Sequence, residues 1–313
     1  MRYFVNTIIA LSLLLSAAVS CQKATADGAA AGQVTISVET PVPATKAIAD
    51  GTKAKTLYYA AFVDGAAVPS LCAETELDTQ GKAVLSLSLV KNVTYRFVFW
   101  AQTPVAQGQD PYYDLSTFYV DSKVKVDYAS ASNDDLRDAF CAAQDILMDG
   151  QTKSVTVALK RPFAQVNFMS SDYEQLKQLG LHDGMLSGMV LDGVADVIKV
   201  LDGSVSYSSE NGAAVKATYA EAAIPSGDDE YVTYNGTEYG YVGMNYVLAS
   251  QSGENITVKG TFVNGTATWE TDLIGNVPVK ANYRTNIIGE FFVEHGSLTV
   301  EIQPGFNTPD MEP

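Results

Sequence analysis

The chain has 313 residues, with 36 Asp and Glu against 20 Lys and Arg, a net charge of −16 and a pI near 4.4. Such an acidic balance makes nucleic acid a poor partner, and no long basic cluster offsets it. With 47% hydrophobic residues, the part beyond a short leader can bury a real core and is long enough for roughly two domains of about 150 residues each.

The first stretch, MRYFVNTIIALSLLLSAAVSCQK, carries an early Arg2, an apolar run from Ile8 to Leu15 and small residues up to Cys21. It reads as a secretory signal over residues 1–20 rather than a membrane span. Ala18-Val19-Ser20-Cys21 looks like the lipobox of bacterial lipoproteins, in which the cysteine is lipidated and becomes the new N-terminus; an ordinary cleaved signal with a chance cysteine is the plainer alternative. No later stretch is apolar for the ~20 residues a span needs, so a lipid on Cys21 tethers the protein to a membrane without embedding it. Residues 21–32 form a flexible tether of Ala, Gly and polar types.

Period-two alternation then dominates. Val34, Ile36 and Val38 alternate with Thr35, Ser37 and Glu39, and Leu85, Leu87 and Leu89 with Ser86 and Ser88. Each such run predicts a half-buried strand. Asp134 to Ala143, with Leu136 and Phe140 on one face, predicts a short helix, and Val155, Val157 and Leu159 another strand. A boundary near Lys160-Arg161-Pro162 divides an N-terminal sandwich, 33–160, from a C-terminal one, 161–313. In the second half, Ala164, Val166 and Phe168 mark a strand, and Ser171 with Glu174 forms a capping box for a helix carrying Leu176 and Leu179 and closed by Gly180. Asn235-Gly236 and Asn264-Gly265 are hairpin signals, since such turns need positive φ. Strands at Ile256–Val258 and Leu298–Ile302 complete an all-β chain of sandwiches with few short helices.

Residues for chemistry are scarce. His182 and His295 have no zinc-type company, and there is no Gly-x-Ser-x-Gly, phosphate loop or dinucleotide fingerprint. The acidic runs read as solvated faces. We therefore expect no catalytic residue, no metal site, no cofactor and no enzymatic activity. Cys72 and Cys141 are either a disulfide, which an exported location permits, or two free thiols. Tyr231, Tyr234, Tyr239, Tyr241 and Tyr246 crowd one hairpin region, and Tyr112-Tyr113 lie in a polar loop. Their commoner role is strand packing, but Tyr112 and Tyr234 are candidates for a platform that binds a surface glycan.

Four stretches in this order, PATKAIADGTKAKTLYYAAFVDG (Pro43 to Gly65), NDDLRDAF (Asn133 to Phe140), KRPFAQVNF (Lys160 to Phe168) and NYRTNIIG (Asn282 to Gly289), together resemble the fimbrillin family, the type V pilins and related surface lipoproteins of Gram-negative gut and oral bacteria. The resemblance implies two tandem transthyretin-like β-sandwich domains, an outer-membrane lipid anchor, a place at the cell surface or in a fimbrium, and a role in cell adhesion. It also implies assembly by donor-strand exchange. A protease cuts after a basic residue in the loop following the first strand, that strand leaves, and a segment from another pilin subunit, of the same or a different kind, fills its groove. The removable strand here is the one carrying Val34, Ile36 and Val38. The candidate cut lies between Lys46 and Ala47, with Lys53 and Lys55 as further options; polymerising members commonly have arginine at the matching place. A lysine left uncut implies an anchor, accessory or terminal subunit. Adhesion partners would be host or bacterial surface glycans or proteins. Within NYRTNIIG, Arg284 is expected to hold a sandwich corner by pairing with a carboxylate or stacking on Tyr283.

Overall fold

The computed structural model describes residues 31–41, 51–105, 111–181, 183–209, 211–292 and 296–304. In the first half the strands are β1 (Ala31–Glu39), β2 (Thr56–Val63), β3 (Ala66–Ala67), β4 (Ala73–Glu76), β5 (Lys82–Val90), β6 (Thr94–Gln102), β7 (Tyr113–Asp114), β8 (Lys123–Val126), β9 (Ser130–Ala131), β10 (Ala139–Leu147) and β11 (Lys153–Ala158), with a four-residue helix α1 (Phe118–Asp121) before β8. In the second half come β12 (Phe163–Ser170), helix α2 (Tyr173–Gln178), β13 (Leu186–Val194), β14 (Val197–Lys199), β15 (Ser204–Ser206), β16 (Val215–Ala223) and β17 (Tyr231–Tyr234). They are followed by β18 (Thr237–Leu248), β19 (Glu254–Asn264), β20 (Ala267–Glu270), β21 (Ile274–Val279), β22 (Tyr283–Gly289) and β23 (Leu298–Pro304). The all-β class with few short helices is the one the alternation predicts.

In the first sandwich a sheet ordered β11-β1-β5 faces one ordered β10-β6-β2, whose outer edge is continued by β3 and β4. Val34, Ile36, Leu57, Phe97, Phe99 and Phe140 fill the space between them. The second sandwich sets β17-β18-β12-β22-β23 against β20-β19-β13-β16-β9, with β21 also on β19.

A four-stranded sheet, β15-β14-β8-β7, joins the two halves. Thus β8 pairs with β14 and β9 with β16, across the Lys160–Pro162 connection between β11 and β12. The back of the first sandwich is apolar as well: Ala60, Phe62, Val98 and Trp100 belong to the same buried cluster as Phe163, Val166 and Phe168. Trp100 meets Tyr113 edge-on at 5.2 Å and Phe163 at 6.4 Å. At this junction Asp138 takes two bonds from Arg161, 2.7 Å from Nε and 2.6 Å from Nη2, with both side chains 1% exposed.

Local departures from the sequence expectations have physical causes. Residues 134–143 do not form a helix: the Asp134 carboxylate accepts from Leu136 N at 3.0 Å and closes a single 3-10 turn, Asp135–Arg137, after which the chain enters β10. Leu136 is exposed and Phe140 buried, so they do not share a face. Helix α2 exists, but its N-cap is Asp172 with no side-chain cap bond, and Leu179 is exposed. Asp172 is committed elsewhere, accepting from Phe291 N at 3.1 Å and Phe292 N at 2.8 Å. The Asn235-Gly236 hairpin forms with both residues at positive φ, whereas the next hairpin turns one residue later, on Gly265-Thr266.

Candidate functional site

The first strand lies in the middle of its sheet. It pairs antiparallel with β5 from Ala31↔Val90 to Glu39↔Lys82, and parallel with β11 from Val34↔Lys153 to Glu39↔Ala158. Val34, Ile36 and Val38 point inward and are at most 1% exposed, as the alternation predicts. Polar contacts mark both ends: Gln33 Nε2 donates to Ser88 Oγ at 2.7 Å, and Lys82 Nζ meets Glu39 Oε1 at 3.0 Å. Burying three such side chains contributes roughly 5–9 kcal/mol in all. Taking β1 away would bare that surface and also two facing strand edges with their unpaired N–H and C=O groups.

The loop after β1 is pinned at its described ends. Thr40 N donates to Gly81 O at 2.9 Å. On the return, Gly51 is buried at φ +75°, where an added Cβ would fall 2.9 Å from Phe140 Cζ and 3.2 Å from Pro41 O. Only glycine fits there without strain. Lys46 and Ala47 lie outside the described residues, as do Cys21, His182 and His295.

The tyrosines nominated for a glycan platform are occupied differently. Tyr234 is buried, its hydroxyl donating to Glu301 Oε2 at 2.9 Å, so its ring has no open face for a sugar. Tyr112 is half-buried and donates to Asp134 Oδ2 at 2.6 Å; burial and that carboxylate push its pKa up to about 12. Arg284 is buried in β22, its Nε donating to Gln165 Oε1 at 2.9 Å on the neighbouring β12, and burial lowers its pKa. The cation over Tyr283 is instead Lys280, 4.5 Å from the ring centre.

Cys72 and Cys141 are free. Cys141 faces Trp100, Trp100 faces Tyr58, and Tyr58 faces Glu74, two residues from Cys72. Three strand spacings of about 4.8 Å separate them by ~14 Å, too far for a disulfide.

Two groupings were not legible in the sequence. Buried Arg137 lies among tyrosines, 4.9 Å from the ring centre of Tyr112, 5.6 Å from Tyr219 and 6.0 Å from Tyr128. These come from separate segments, and the NDDLRDAF motif alone hints at them. The second is an aromatic pocket beside Asp172, built from Trp269, Phe291 and Phe292.

A family model described as a family of unknown function (DUF6562) matches residues 25–312. No curated protein matches the chain. Among solved structures it is similar to a proposed cell adhesion protein from Bacteroides eggerthii, at 12% identity and TM-score 0.49, over 88% of this chain and 97% of that one. It is also similar to the tip fimbrial protein Mfa3 from Porphyromonas gingivalis with a C-terminal truncation, at 10% identity and TM-score 0.48, over 88% and 99%. A fimbrial assembly protein from Parabacteroides distasonis matches at 10% identity and TM-score 0.44, over 87% and 95%.

Proposed function

The chain belongs to the DUF6562 family, whose description carries no activity, and from that premise we propose that it is a fimbrial or adhesion subunit in which β1 is a replaceable strand. In this reading the precursor is held at the outer membrane by a lipid on Cys21 and faces the outside of the cell. A cut between Lys46 and Ala47 severs β1 from the rest of the chain, and an extended segment of another subunit then displaces it from between β5 and β11. The seat of β1 carries the proposal: it is a central strand, flanked on both sides, with its whole apolar face buried. Main-chain pairing to β5 and β11 would supply affinity, and the positions of Val34, Ile36 and Val38 would select alternate apolar side chains.

Digestion of the purified chain with a lysine-specific protease, followed by N-terminal sequencing and light scattering, tests this. The expected result is a new terminus at Ala47, abolished in Lys46→Ala, and oligomers once β1 is removed. A clean product lacking β1 that stays monomeric would count decisively against it.

A further inference from the structure

The ladders around β1 do not by themselves fix which way a replacement strand must run. β1 is antiparallel to β5 and parallel to β11, so a reversed strand would again make one ladder of each kind. The buried triad of Val34, Ile36 and Val38 also reads the same in both directions. Direction and register therefore have to be read at the two ends of the seat, which differ.

At the N-terminal end the inward position is Gly32, which is buried, and a Cβ built there would fall 2.5 Å from Met148 Cε. Met148 is itself fully buried, so its methyl group fills the space that a side chain at this position would take. A methionine tip can yield, but in a packed interior it does so at a cost that grows with the intruding side chain. At the other end the corresponding inward position is Thr40, whose N–H and hydroxyl both donate to Gly81 O, at 2.9 and 3.2 Å. On the outer face Glu39 stands directly opposite Lys82, with Oε1 and Nζ 3.0 Å apart. Such an exposed pair adds little by itself, but a cation set opposite Lys82 would be repelled.

We propose that Met148 and Lys82 are the specificity-determining residues of this seat. They select an incoming segment that runs in the direction of β1, with glycine two residues before its apolar triad and an acidic residue directly after it. The inference rests on the strand-replacement reading and adds to it the chemistry of the partner segment.

The test uses the chain cut after Lys46, with β1 still held by its ladders, in urea below the unfolding midpoint. Fluorescent peptides compete for the seat: residues 31–41, the same residues in reversed order, and residues 31–41 with Glu39→Lys. The reversed peptide keeps the apolar triad but sets threonine against Met148 and glutamine opposite Lys82. Exchange is read as fluorescence that migrates with the protein on a native gel. We expect the reversed peptide to bind about tenfold less than the forward one, and only about threefold less in Met148→Ala, whose folding circular dichroism checks. Lys82→Glu should invert the order of the forward peptide and its Glu39→Lys form, an effect that high salt weakens. In the uncut chain, Gly32→Leu should lower the denaturant midpoint, and Gly32→Leu with Met148→Ala should cost less than the two substitutions summed. Equal binding of forward and reversed peptides, an order that Lys82→Glu leaves unchanged, or additive effects of Gly32→Leu and Met148→Ala would overturn the proposal. Exchange of no peptide at all would instead overturn the strand-replacement reading, and the proposal with it.

Discussion

Ile36 has no exposed surface and stands between Leu85 and Val155 on the neighbouring strands. Ile36→Ala should lower stability by about 2–5 kcal/mol, read from a denaturant midpoint. Ser37→Ala on the outer face should stay within about 0.5 kcal/mol. The Asp138–Arg161 pair belongs to a different class. Asp138→Ala removes the carboxylate from a buried guanidinium, and a loss of about 3–5 kcal/mol is expected in the same assay. Val34, Ile36 and Val38 were legible because one face of a strand is a local property. Tyr234 was not, because its fate is decided by Glu301, 67 positions away, and a tyrosine suits a dry or a wet site equally.

At the level of elements, cutting the loop after β1 should not by itself release the strand, because both its ladders remain. A nicked chain is expected to run as one species on a native gel and as two fragments in denaturant; spontaneous loss of residues 31–39 from the native nicked form would show the ladders to be weaker than their pairing implies. Added peptide spanning residues 31–39 should bind the emptied protein, and the same peptide with Ile36→Lys should not, since a charge would enter an apolar seat. The strands and the Asn235-Gly236 hairpin were readable from alternation and turn chemistry. The segment at 134–143 was misread because Leu136 and Phe140 fit helical spacing, while its conformation is set by the Asp134 turn and by Phe140 and Cys141 pairing with Ala101 and Trp100 of β6. The last strand was read only in part: Leu298 and Val300 pack on the core, but Ile302 is 40% exposed.

Across the whole molecule, the bridging sheet and the shared apolar cluster tie the two sandwiches together, with Arg96 Nε on β6 donating to Leu201 O beyond β14 at 2.7 Å. A single calorimetric unfolding transition is expected, and two separated transitions would show the halves to be independent. That shared interior also holds Tyr113, Tyr128, Tyr219, Tyr241 and Tyr246, whose pKa values burial raises above 10. In the unfolded chain these phenols ionise near pH 10, whereas in the fold they stay protonated to higher pH. Their contribution is therefore complete below pH 10 and is lost as pH rises through the folded values, so the denaturant midpoint should fall steeply between about pH 10 and 12. The bridging sheet could not be read in advance, because β14 and β15 have three residues each and find partners only through contacts distant in sequence. The seating of β1 also has a mechanical side. Its ladder bonds run across the strand, so a tug on residue 31 from the N-terminal side acts along the strand axis and loads the rungs to both neighbours in shear. They would share the force together instead of parting one by one like a zipper, giving a high rupture force against a pull applied at residue 31.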